Sequence, residues 1–261
     1  PYFQTELGLT EAQKGWLFTA FAFAYAVFEV PTGWLGDRYG ARNTLIRIVV
    51  WWSIFTVITG SIYPTTPAWI AFALMLGVRF LFGMGEAGAY PNLARALHNW
   101  FPFAERGFAK GAVWMAGRFA GGITAFIVYA LMYETVTPDG ERVEHWRHVF
   151  YIFGALGVVW CVWWWWWYRD DPAEKSGVNA AEIELIREGE KQHTDKLVVP
   201  WGKFLASGKL WILCLHYFCA AYGWYLNITY LPGYLKDQLG IARGDVRWTS
   251  QFWIAGLMAG L

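Results

Sequence analysis

Long apolar runs, broken by short polar segments, dominate the chain. A helix needs about 20 mostly apolar residues to cross a bilayer's hydrocarbon. Six runs meet that length: 16–35, 44–62, 68–90, 108–132, 148–168 and 210–230. A seventh, 248–261, holds 14 residues. That is about 21 Å of helix, too short to cross, so it reads as a span that the chain leaves incomplete. The pattern predicts an all-α membrane protein. Its first bundle is 1–168, with five spans; 169–209 is a long loop, and 210–261 begins a second bundle.

The connections alternate between two sides. One side takes 36–43, 91–107 and 169–209, and carries thirteen Lys or Arg residues, from Arg38, Arg42 and Arg47 to Lys203 and Lys209. The other side carries six, among them Lys14, Arg142 and Arg147. Basic loops face the cytoplasm, so the long loop is expected there and the chain is expected to begin outside. A helix ahead of Pro1 is then expected to be missing. Within the loop, Asn179 followed by Glu182 reads as the start of a short helix, with Asn179 as N-cap. The run Trp163-Trp164-Trp165-Trp166-Trp167 falls where a span leaves the cytoplasmic leaflet, and interfacial indoles are common there.

Composition narrows the class. Apolar residues make up 56% of the chain and charged ones 16%. Soluble domains are nearer a quarter charged, so a soluble globule is excluded. Aromatics at 20% exclude disorder. Three Cys residues cannot make a disulfide scaffold, and a net charge of +1 gives no nucleic-acid signal.

Four charged side chains fall inside spans: Glu29, Arg79, Glu86 and Arg118. Each would be costly against lipid and must face the protein interior or a watery cavity. Arg79 and Glu86 are seven residues apart, about two full turns, and so share one helical stripe. Gly83 lies between them and Tyr90 is expected to continue the face. The segment around them, Gly83-Met84-Gly85-Glu86-Ala87-Gly88, is Gly-rich, which admits close helix packing. Two readings fit the pair. One is a structural ion pair with other helices. The other is an anion-binding Arg beside a Glu that exchanges protons, because a carboxylate away from water binds a proton more readily.

Arg118 shares its face with Gly111, Trp114, Gly121, Gly122 and Ala125. It either pairs with a carboxylate of another helix or awaits an anionic ligand. Glu29, just ahead of Pro31, reads as a gating or packing carboxylate. Tyr225 and Asn227 lie mid-span, suited either to a hydroxylated ligand or to interhelical hydrogen bonds.

There is no Gly-x-Ser-x-Gly, His-Glu-x-x-His or Cys-x-x-Cys pattern, so no enzyme, metal site or cofactor is expected. The glycines of 83–88 sit inside a span with no preceding strand, so they do not read as a dinucleotide site.

The stretch Gly33-Trp34-Leu35-Gly36-Asp37-Arg38-Tyr39-Gly40-Ala41-Arg42 closely resembles the signature between the second and third helices of the major facilitator superfamily. Ala41 stands where that signature usually carries a basic residue, and Arg42 supplies the adjacent one. The stretch 79–91, with Trp100-Phe101-Pro102 and Glu105-Arg106, resembles the fourth helix and following loop of the anion:cation symporter branch. Asp170-Asp171-Pro172 and Tyr230-Leu231-Pro232-Gly233-Tyr234-Leu235 also fit that branch.

The resemblance implies a twelve-helix carrier, of which about seven helices, the second to the eighth, are present. It implies that Asp37, Arg38 and Arg42 belong to a cytoplasmic gate, that Arg79 binds a substrate carboxylate and that Glu86 carries protons. Arg118 departs from sugar-acid members, which often hold an amide there.

The expected function is symport of an organic anion, a sugar acid such as a hexuronate or aldonate, with protons, by alternating access; sodium is the alternative coupling ion. The candidate substrate ligands are Arg79, Arg118, Tyr90, Tyr225 and Asn227. The expected setting is a bacterial inner membrane. The partners expected are the small anion and the lipid bilayer, with no nucleic acid and no obligate protein. The rival readings are a facilitator or exporter of another small molecule, or a membrane scaffold or enzyme.

Overall fold

The computed structural model describes residues 6–63, 67–132, 134–136, 142–188 and 200–240. The described chain is built of helices: α1 Glu11–Tyr39, α2 Ala41–Gly60, α3 Ala68–Glu86, α4 Ala89–Trp100, α5 Arg106–Leu131, α6 Arg147–Trp167, α7 Ala180–Arg187, α8 Trp201–Leu205 and α9 Gly208–Leu239. Two three-residue strands, β1 Glu134–Val136 and β2 Arg142–Glu144, form an antiparallel hairpin between α5 and α6. This small hairpin decorates a connection, and the fold class is the expected all-α bundle.

The helices run longer than the apolar runs they contain. Thr10 caps α1 through a reciprocal box: the Gln13 amide donates to Thr10 Oγ1 at 3.2 Å, and the Thr10 amide donates to Gln13 Oε1 at 2.9 Å. Helix α1 thus begins five residues before the apolar run at 16–35. It also continues through Asp37 and Arg38, so the expected connection 36–43 shrinks to Gly40, whose φ of 83° turns the chain between α1 and α2. Hydropathy marks the thickness of hydrocarbon, whereas helices extend past it into the headgroups. For the same reason α4 reaches Trp100, inside the expected loop 91–107, and α9 reaches Leu239.

Three stretches are long and apolar enough to cross a membrane by length and composition: Ala41–Gly60, Ala68–Trp100 and Arg147–Trp167. The expected spans 16–35 and 210–230 lie inside α1 and α9, and 108–132 coincides with α5 to within two residues. The expected span 248–261 lies outside the described residues.

The described residues fall into two compact units, one within 1–114 and 127–189, the other within 115–126 and 190–261. In the first, α1 packs along α3 and α2 packs along α6. Lipid offers no hydrophobic drive for helix association, so close backbone approach at small residues does that work. A Cβ on Gly154 would meet Val57 Cγ2 at 2.5 Å, one on Gly60 would meet Phe150 Cβ at 2.9 Å, and one on Gly157 would collide with the Ser53 hydroxyl.

Each end of this unit is tied by polar contacts. At one end Glu6 accepts from Trp146 Nε1 at 2.6 Å and from Arg147 Nη1 at 2.8 Å, while Arg147 Nη2 donates to the Ile62 carbonyl at 2.9 Å. Leu7, Leu9, Leu17, Ile62, Ala71, Met75 and Val78 form a buried cluster. At the other end Ala41, Ala96 and Tyr168 are buried, with Trp100 and Trp164 against them. In the second unit, α8 precedes α9, and Trp211 Nε1 donates to the Leu205 carbonyl at 2.9 Å.

Candidate functional site

The expected Arg79–Glu86 stripe is present on α3, which is helical over all of Ala68–Glu86. Both side chains are half-buried, and their charges attract one another. Among the described residues neither forms an ion pair within 4.0 Å, and the Arg79 guanidinium lies 5.9 Å from the centre of the Phe82 ring. The arginine thus keeps its hydrogen-bonding edge for something other than a fixed carboxylate of the described residues.

The glycines around the pair do what a close-packing reading requires, each against a different neighbour. A Cβ on Gly83, between the two charges on their stripe, would run into the Phe21 carbonyl of α1. One on Gly85 would run into the Trp51 indole of α2. That indole is held in turn, because its Nε1 donates to the Leu81 carbonyl at 2.7 Å. The stripe is therefore wedged between α1 and α2, and the backbone carrying Arg79 and Glu86 has little freedom to shift.

One expectation is corrected here. Tyr90 does not continue the stripe, because the helix breaks directly after Glu86. Ala87 is extended (ψ 137°) and Gly88 is left-handed (φ 84°) before α4 begins. Turn-by-turn arithmetic holds only along an unbroken helix. Gly88 serves the break twice. It adopts a positive φ at no steric cost, and a Cβ there would meet Thr32 Cβ at 2.5 Å. Tyr90 stacks instead on Trp114 of α5, with ring centroids 4.8 Å apart and planes 10° from parallel.

Asn92 was not visible as a site residue in the sequence. It is only 1% exposed, and its Nδ2 donates to Gly88 O at 2.7 Å and to Thr32 O at 3.3 Å. It thus bolts the break to α1, and Gly36 leaves the room for its side-chain carbonyl. The sole cue was an amide four residues after a glycine in an apolar stretch.

The gating candidates sit at the opposite end of the unit from Glu6. Asp37 pairs with Arg95 of α4. The Arg38 guanidinium lies 5.6 Å from the ring centres of both Trp34 and Tyr39. Arg42 lies over the Trp165 ring at 5.3 Å and donates to the Trp165 carbonyl. The Arg42 amide donates to Asp170 Oδ1 at 3.1 Å. Glu29 is half-buried on α1. Asn179 is the expected N-cap of α7, accepting from the Glu182 amide at 2.9 Å.

Arg118, Tyr225 and Asn227 belong to the second unit. Arg118 is half-buried on α5 and Tyr225 is exposed on α9. The side chain of Asn227 lies outside the described residues. No group of three or more His, Cys, Asp or Glu residues with metal-binding geometry occurs among the described residues.

Known proteins resemble the whole chain. The family model of the Major Facilitator Superfamily matches residues 1–261. The probable sulfoacetate transporter of Cupriavidus necator is 32% identical, covering 100% of this chain and 56% of the relative. The D-galactonate transporter of Escherichia coli is 30% identical, covering 92% of this chain and 54% of the relative. The probable galactarate/D-glucarate transporter of Escherichia coli is 32% identical, covering 91% and 53%. The chain thus spans about half the length of the curated relatives it matches.

Proposed function

The chain belongs to the major facilitator superfamily, and from that membership we propose that the protein is a secondary transporter carrying an organic anion together with protons. It is a multi-pass integral membrane protein, and its family is one of transporters rather than enzymes. Sulfonate and sugar-acid carriers among its relatives support a small organic acid as cargo. The proposed setting is a bacterial inner membrane with the loop 169–209 in the cytoplasm. Two bundles, 1–168 and the one begun by 210–261, would rock about a midplane site.

The observation that carries the reading is the Arg79–Glu86 stripe. A cation and a carboxylate share one wedged helix face, attract each other, and make no contact ion pair among the described residues. Protonation of Glu86 would remove its attraction for Arg79 and leave the guanidinium to a substrate carboxylate, which it grips in a two-pronged way. Loss of that proton on the other side would restore the competition and favour release. Arg118, Tyr90, Tyr225 and Asn227 are the proposed further contacts to substrate. Glu29, Asp37, Arg38 and Arg42 are the proposed gate.

Glu86→Gln tests the coupling. The variant is expected to exchange labelled substrate across vesicles while losing accumulation driven by an inward proton gradient. Undiminished pH-driven accumulation would remove Glu86 from the mechanism, and accumulation that follows a sodium gradient instead would replace the coupling ion. One relative is named a sodium-dependent phosphate transport protein, which makes the sodium arm worth running.

A further inference from the structure

Helix α6 ends at Trp167 with four backbone carbonyls, those of Trp165, Trp166, Trp167 and Tyr168, beyond the reach of a helical amide. All four are met by cationic side chains. Arg169 Nη1 donates to Trp165 O at 3.0 Å, Trp166 O at 3.1 Å and Tyr168 O at 2.9 Å. Arg42 donates to Trp165 O and Lys175 to Trp167 O. Three positive charges from three segments therefore converge on the negative end of one helix dipole.

These cations are not saturated by the protein. Arg42 gives one guanidinium nitrogen to the α6 end, while its Nε is buried out of a ligand's reach. Only Nη1 of Arg169 is engaged there, and Lys175 uses one of three N–H groups on a carbonyl. Two of the three nearby carboxylates are already committed. Asp170 accepts the Arg42 amide, and Asp171 accepts the Ala173 amide at 2.9 Å and lies 3.5 Å from Arg187. Glu174 is exposed. Beside the cations stand indoles with more than half of their surface open: Trp165 is 59% exposed and Trp166 67%. The Lys175 ammonium lies 5.3 Å from the ring centre of Trp167, and the Arg42 guanidinium is equally far from that of Trp165.

We propose that the C-terminal end of α6, with Arg42, Arg169 and Lys175, binds the phosphate of an anionic glycerophospholipid, whose acyl chains lie against Trp165 and Trp166. The partner is a lipid and not a soluble phosphate because the donors stand at the end of a membrane-crossing helix, beside exposed indoles that favour the headgroup boundary. The phosphate supplies the acceptors that the free N–H groups lack. Its negative charge complements three cations, of whose neighbouring acids Asp170 and Asp171 are engaged.

The test uses the purified protein in phosphatidylcholine nanodiscs or detergent, titrated with phosphatidylglycerol, phosphatidylcholine or inorganic phosphate and read by native mass spectrometry and thermal unfolding. The expected result is tighter retention of phosphatidylglycerol than of phosphatidylcholine, with about fivefold weakening for each cation removed in Arg169→Gln and Lys175→Gln. Lys203→Gln and Lys209→Gln, cations remote in sequence from the α6 end, should leave the preference intact. Arg169→Lys, which keeps the charge, should retain most of it. If Arg169→Gln does not fold, Lys175→Gln alone decides, since it removes one cap of four. Equal retention of the two lipids, a preference unchanged in Lys175→Gln, or an equal response to inorganic phosphate would each overturn the proposal.

Discussion

Asp170 caps a helix that begins 129 positions earlier in the chain: its Oδ1 accepts the backbone amide of Arg42 at 3.1 Å, one residue into α2. The residue at the N-cap position of α2 is Gly40, which has no side chain to cap with. A Cβ there would also collide with the Asp170 carboxylate, so the glycine and the distant acid require each other. The family signature around Asp37 and Arg38 is thereby fastened to the end of α6. Asn99 Nδ2, which donates to Asp170 O at 2.9 Å, and Trp100 Nε1, which donates to Arg169 O at 2.8 Å, add α4 to the same joint.

Asp170→Ala should destabilise the protein by about 1–2 kcal/mol, the usual cost of a lost N-cap. Asp170→Asn, which keeps an acceptor and loses the charge at the dipole, should cost less. Thermal unfolding in one detergent orders the three proteins, and equal midpoints for all three would deny the cap any weight.

Gly85→Ala should be more damaging than an alanine in a helix ordinarily is. The new methyl falls on the Trp51 indole, and overpacking of this kind costs about 1–3 kcal/mol. Trp51→Ala should be destabilising by itself through the cavity it leaves, yet the double variant Trp51→Ala/Gly85→Ala should be less unstable than the two losses added. Strict additivity in a double-mutant cycle would mean that the contact is not what limits position 85.

Arg79→Ala should abolish saturable binding of the transported acid, and Arg79→Lys should weaken it sharply. A lysine keeps the charge but not the planar fork that meets a carboxylate on two edges. Retained affinity in the alanine variant, measured by ligand-dependent thermal shift against sulfonates, aldonates and hexuronates, would move the substrate site away from α3.

Glu6→Gln should loosen the end of the first unit held by Arg147. The amide can still accept from Trp146 Nε1 but no longer neutralises the guanidinium, which would keep its bond to the Ile62 carbonyl. Charge-assisted bonds contribute about 1.5–3 kcal/mol, so a fall in unfolding midpoint is expected, with faster proteolysis ahead of α1. Arg147→Lys in the same background should not repair it.

Much of this molecule is legible along the chain because its information is periodic and local. Runs of apolar residues mark where helices meet hydrocarbon, and a spacing of seven puts Arg79 and Glu86 on one stripe whatever surrounds them. The cap of α7 is equally local: Asn179 with Glu182 needs only three residues of reach. Tertiary structure decided the rest. Hydropathy cannot tell that α3 stops at Glu86, since the break at Gly88 is tied to α1 through Asn92 and leaves no room for a side chain beside Thr32. Nor does spacing tell which neighbour each glycine admits: Gly83 takes α1 and Gly85 takes α2. The α6 carbonyls and the α2 amide find partners far away in sequence, because a helix end leaves its backbone groups unmatched and any nearby side chain of the right charge can meet them. Periodicity placed the charges on a face; packing decided what each of them touches.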